Sequence, residues 1–137
     1  MTNNRVFFSH LSQKDDEYSL KFQQCLEEIM KILDDIDPEM PLQRLKTFVY
    51  VSMNPGITTK ELAEKARISD QSASRNLLAL GELNPMTKKP GYYLIESHEN
   101  FADRRGRRYS LAPRGRDLLE KLENALAVQV KSCCEHE

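Results

Sequence analysis

Between positions 104 and 108 the chain carries Arg104, Arg105, Arg107 and Arg108 around Gly106, directly after Asp103. Four guanidinium groups packed this closely repel one another on a free loop. An extended polyanion removes that repulsion, because each phosphate neutralised releases condensed counterions. Arginine also suits a narrow minor groove, where the potential is most negative. The carboxylate of Asp103 is placed to hold one arginine within the loop. A second set lies upstream: Gln71, Ser72, Ser74 and Arg75, all polar, on a segment whose apolar residues Ala73, Leu77 and Leu80 step by four and three. Gln pairs with adenine and Arg with guanine through two hydrogen bonds each, and Ser is less selective. The plain alternatives are a solvated charge cluster for the first set and a solvated helix face for the second.

No catalytic constellation accompanies these groups. His10, His98 and His136 are scattered, and neither a Gly-rich phosphate loop nor a HExxH pair is present. Neither an enzyme nor a cofactor is expected. Cys133, Cys134 and His136 invite a metal or redox reading, but adjacent cysteines are poorly placed to chelate one tetrahedral ion, so no metal site is expected. A redox switch at these thiols is the alternative, and Cys25, beside Leu26, reads as a small apolar core residue. An odd count of three cysteines does not make a disulfide framework, which favours a reducing, cytoplasmic setting. Residues 1–10 lack signal-peptide anatomy, and no apolar run approaches the roughly 18 residues of a membrane span, so no membrane partner is expected.

The 137 residues fit one compact domain, and the net charge of −1 conceals a marked asymmetry. Residues 1–57 carry 6 basic and 9 acidic side chains, residues 58–116 carry 12 and 7, and residues 117–137 carry 2 and 5. The segments therefore stand at −3, +5 and −3. A basic middle between acidic ends is how a chain with one polyanion-binding surface keeps a pI near 6.3.

The elements that must position these groups follow from periodicity and punctuation. Ser12 to Ile36 reads as one long helix, N-capped by Ser12, with the stripe Tyr18, Phe22, Leu26, Ile29, Leu33 and Ile36 suited to a partner helix. Asp37-Pro38 ends it, and Pro41 opens a second helix whose buried face is Leu42, Leu45, Phe48 and Val49, until Asn54-Pro55-Gly56. Thr58 and Glu61 have capping-box spacing and start a short helix through Ala66. After the turn Arg67-Ile68-Ser69, Ser69 caps the helix Asp70 to Leu80 that carries the second polar set. Tyr92 to Ile95 is rich in strand formers, the arginine loop follows, and Tyr109 to Leu111 returns as a strand, which makes a hairpin. Pro113 opens a last helix with the stripe Leu118, Leu119, Leu122, Ala125 and Leu126.

A helix-turn-helix followed at once by a hairpin is the winged-helix arrangement, in which the second short helix enters the major groove. Asp103-Arg104-Arg105-Gly106-Arg107-Arg108, followed by Leu111 and Gly115, resembles the wing of the MarR family of transcriptional regulators. Thr59-Lys60-Glu61-Leu62-Ala63-Glu64 and Ile68-Ser69 are similar to that family's helix-turn-helix, and the likeness covers roughly residues 41–126. The resemblance implies a homodimer of interlocking terminal helices and repression of target genes, often relieved by a small-molecule effector. Three departures stand out. Arg67 occupies a turn position that often holds glycine, Ala112 replaces the threonine that caps the last helix, and the stretch Gly81 to Gly91 is longer than usual.

The expected fold class is mainly α with a small β-hairpin wing, a winged helix-turn-helix between N- and C-terminal dimerisation helices. The expected division is 1–40 for the N-terminal helix, 41–112 for the DNA-binding domain and 113–137 for the last helix and tail. Gln71, Ser72, Ser74 and Arg75 are expected in the major groove and Arg105, Arg107 and Arg108 at the wing, with Arg104 and Lys60 as further contacts to double-stranded DNA. Two alternatives remain: a winged helix used for protein contact, and a ligand or redox sensor whose DNA binding is secondary.

Overall fold

The structure is a computed structural model that describes residues 13–82, 90–99 and 106–134. Five helices and three strands are seen among them: α1 (Gln13–Asp34), α2 (Leu42–Met53), β1 (Ile57–Thr58), α3 (Thr59–Ala66), α4 (Asp70–Leu80), β2 (Ile95–Glu99), β3 (Arg107–Leu111) and α5 (Pro113–Cys134). The strands form one antiparallel sheet in the order β1-β3-β2. The core lies between α2, α3, α4 and this sheet, around Phe48, Val51, Ile57, Leu62, Leu77, Leu80 and Leu94.

Local chemistry fixes the helix ends near their expected places. Thr58 Oγ1 accepts the Glu61 N–H at 3.2 Å, and Ser69 Oγ accepts the Ser72 N–H at 3.1 Å. Each cap satisfies one of the donors a helix start leaves free. Pro41 stands one position outside α2 as its N-cap. Arg67 closes α3 in the left-handed conformation, φ 57° and ψ 47°, with its N–H on Ala63 O. The turn thus adopts with arginine the geometry that glycine adopts without Cβ strain. Lys46 Nζ donates to Ala66 O at 2.7 Å, so α2 grips the same turn. Ser12, the expected cap of α1, lies outside the described residues, and α1 ends at Asp34 rather than Ile36.

The buried face of α2 differs from the expected one. Phe48 is buried and Leu45 packs against the core as expected, but Leu42 is 78% exposed and Val49 43%, and Thr47 and Val51 are buried in their stead. Thr47 satisfies its hydroxyl on Gln43 O at 2.9 Å, which lets a polar residue occupy the core stripe. The entry to the wing also differs. The strand begins at Ile95, not Tyr92, because the N–H groups of Tyr92, Tyr93 and Leu94 donate to Ala79, Gly81 and Leu80 carbonyls at the end of α4. Tyr93 has φ 57°, which no strand accommodates. On the return side the strand starts earlier, so Arg107 and Arg108 are strand residues rather than loop residues. The short strand β1, unforeseen from the sequence, pairs Ile57 with Tyr109 and Thr58 with Arg108.

The terminal helices α1 and α5 pack against each other within the chain. Cys25, Leu33 and Leu118 are buried, while Tyr18, Leu20, Phe22, Leu26 and Met30 of α1 and Leu126 and Val128 of α5 stay exposed. Gly115 lies in the first turn of α5, where a Cβ would collide with Leu94 O. The absent side chain lets this helix dock directly on the backbone that leads into the wing.

Candidate nucleic-acid interface

Helix α4 divides its residues cleanly between two faces. Ala73, Asn76, Leu77 and Leu80 are buried, and Asn76 Nδ2 donates to Gln43 Oε1 of α2 at 2.9 Å. Gln71, Ser74, Arg75 and Leu78 are exposed, spaced as one stripe of a helix. Ser72 is half-buried within the cap network: its hydroxyl is 3.0 Å from Ser69 Oγ and accepts a long 3.5 Å contact from Arg75 Nη2. Arg75 therefore leans toward the N-terminal end of the helix, the end that a recognition helix presents to base edges. Lys60, on the second position of α3, is exposed.

At the wing, Arg107 is exposed and lies 3.8 Å from Glu99 on the facing strand. Arg108 is half-buried, and its Nη1 donates to Gly56 O at 3.0 Å, which fastens β3 to the turn before β1. Arg104 and Arg105, with Asp103, lie outside the described residues. Arg107 lines a groove of about 800 Å³ together with Leu78 of α4, Tyr93, His98 of β2 and Arg114 of α5. The groove meets α4 at Leu77 and Leu78, near the C-terminal end of the helix, and does not include Gln71, Ser74 or Arg75. His98 and Arg114 were passed over in the sequence. His98 Nε2 is 3.0 Å from Ser110 Oγ across the hairpin, and Arg114 opens α5. The signal for Arg114 was present in the basic run that continues through Arg114 and Arg116.

Solved structures with this arrangement are numerous. The S. aureus MepR–DNA complex superposes with a TM-score of 0.63 at 17% identity, covering 88% of each chain. S. aureus MepR bound to ethidium bromide gives 0.63 at 14% identity, covering 94% of this chain and 85% of that one. The MarR family transcription regulator SP03579 gives 0.53 at 16% identity, covering 99% and 80%. The chain has the MarR-type winged-helix fold. Its sequence matches no protein-family model and no curated protein. Within the MarR-type fold, α3 and α4 are the helix-turn-helix, the β2–β3 hairpin is the wing, and α1 and α5 are the flanking helices. Among the described residues no cluster of three metal-ligating side chains occurs, and no helix is long and apolar enough to cross a membrane.

Proposed function

We propose that this protein is a sequence-specific, double-stranded-DNA-binding transcription regulator that acts as a homodimer, in the manner of a repressor. The carrying observation is that a MarR-type winged-helix fold leaves both the polar residues Gln71, Ser74 and Arg75 of α4 and Arg107 of the wing strand exposed. Gln71, Ser72, Ser74 and Arg75 read the major groove, with side chains that combine two-point donors and short hydroxyls. Arg105, Arg107 and Arg108 serve the wing against the minor groove, with Arg104 and Lys60 on phosphates. Arg108 has a second task, since its bond to Gly56 O holds the hairpin base in register.

The homodimer is supported by the exposed apolar side chains of the flanking helices. Phe22 is 64% exposed and Met30 58%, on a helix whose other side already packs on α5. Contiguous apolar surface of this kind marks an interface, and a twofold axis places two copies of α4 about one DNA turn apart. On this reading residues 1–40 and 113–137 build the dimer and residues 41–112 read DNA. The ethidium complex of MepR favours a small-molecule effector here as well.

Selection of bound sites from random duplexes, repeated at two salt concentrations, tests the proposal. The expected result is an inverted repeat, bound with an affinity that falls steeply as salt rises. Recovery of no preferred site, or binding indifferent to salt, overturns it and favours a winged helix used for protein contact.

A further inference from the structure

Tyr92 bridges the turn after α1 and the end of α4, beside the packing of α2 on α4. Its backbone N–H donates to Ala79 O at the end of α4 at 3.1 Å. Its hydroxyl donates to Asp37 Oδ2, in the turn after α1. Asp37 is itself tied to both sides of that turn: its N–H donates to Leu33 O of α1 at 3.0 Å, and its Oδ1 accepts the Glu39 N–H at 2.9 Å. The third member is Arg44 in the first turn of α2. Its Nη1 donates to the Tyr92 hydroxyl at 3.2 Å, and its guanidinium stands 5.7 Å from the centre of the Tyr92 ring. One hydrogen-bonded path from the flanking helix to α4 thus runs through Leu33, Asp37, Tyr92 and Ala79, clamped from the side by Arg44.

Arg44 Nε is buried without a hydrogen-bond partner. A guanidinium free to choose its place would satisfy that donor. Its position is set instead by the tyrosine, which the ring contact and the hydroxyl bond fix together. The two following residues, Tyr93 and Leu94, continue onto Gly81 O at 2.9 Å and Leu80 O at 2.8 Å. A shift of Tyr92 therefore carries the end of α4 and the wing entry with it.

Resting on the dimeric DNA-binding reading, we infer that Tyr92 is a positioning residue: with Asp37 and Arg44 it transmits the placement of the flanking helices to α4 and so fixes the separation of the two recognition helices. Such a strut adds nothing to the contacts of one winged domain with one half-site. It makes the second half-site contact intramolecular at one spacing only.

The test uses the full-length protein and the selected duplex, with the half-sites at their natural separation, separated by two further base pairs, or reduced to one. Two inserted base pairs rotate one half-site by about 70° relative to the other. The wild type loses about 100-fold in affinity on insertion, the range by which a linked second site raises affinity. Tyr92→Phe keeps the ring and the backbone bond to Ala79 but lacks the hydroxyl, and Asp37→Asn alters the acceptor from the other side. Both variants lose only about tenfold on insertion, while all three proteins bind the isolated half-site alike. A purely structural role would lower the melting temperature and leave the spacing dependence intact. Variants with the wild-type loss on insertion overturn the inference and leave the regulator reading standing. A wild type indifferent to the second half-site overturns the dimeric reading, and this inference with it.

Discussion

Replacing Arg67 by glycine should stabilise the protein, although it deletes a side chain from the turn between α3 and α4. Arg67 holds φ 57° and ψ 47°, the centre of the left-handed region. That conformation costs a residue with a Cβ roughly 1–2 kcal/mol. Glycine removes this strain but enlarges the freedom of the unfolded chain, which takes back about 0.4–1 kcal/mol. The net gain is about 0.5–1 kcal/mol, or a rise of about 2–4 °C in melting temperature for a chain of this size. Arg67→Ala is the matched comparison, because it removes the same charge and length while keeping the Cβ in the strained position. Thermal and denaturant melts at one fixed protein concentration, which holds the proposed self-association constant, should place the glycine variant above the alanine variant with an unchanged denaturant slope. A glycine variant that melts at or below the alanine variant refutes the claim that backbone strain at this turn is stored in the native state.

Gly115→Ala forces α5 away from Leu94 O and should cost on the order of 3 kcal/mol, read as a lowered denaturant midpoint. The Tyr92 hydroxyl, then the Glu39 N–H and the Arg44 guanidinium, holds the Asp37 carboxyl below the usual carboxylate range. Its stabilisation is therefore present above the ordinary carboxylate pKa and disappears as pH falls through the lowered value, so Asp37→Asn should flatten the acid limb of a melting-temperature profile. Burial, then the Asp37 bond, raises the Tyr92 phenol. That contribution is complete below about pH 10 and drains as pH climbs through the raised value, so Tyr92→Phe should flatten the alkaline limb. Arg107→Ala should weaken binding to most duplexes alike and flatten the salt slope by about one unit, whereas Arg75→Ala should change which sequences are selected.

The order of the helices and the hairpin, and both cap residues of the helix-turn-helix, could be read from the chain, because caps, prolines and the Ala73–Leu77–Leu80 stripe act locally. The errors came where tertiary partners override local pattern. Thr47 counts as polar until its hydroxyl finds Gln43 O in its own helix, so its place in the core, with Leu42 and Val49 facing outward, is hidden from an apolar count. Tyr92 to Leu94 have strand-forming side chains, yet their N–H groups go to the end of α4. Nothing in their types reveals that competition. Of the candidate site, the exposed stripe of α4 was legible, since an amphipathic helix shows both faces in sequence. The groove was not: Arg114 and His98 join it from two other elements, and the bond from Arg108 to Gly56 O spans 52 positions of sequence.

The two faces of α4 meet at Ser72, which is half-buried in the cap network. Ala73, Asn76, Leu77 and Leu80 answer to the interior, whereas Gln71, Ser74 and Arg75 face outward, Arg75 with a long contact to Ser72 Oγ. On the proposed DNA-binding reading, drift in the preferred sequence can therefore proceed one outward side chain at a time, with no compensating change inside. The same separation makes this helix a tractable scaffold for reprogramming: a library confined to positions 71, 74 and 75 explores new targets without spoiling the hydrophobic interior that every member must retain.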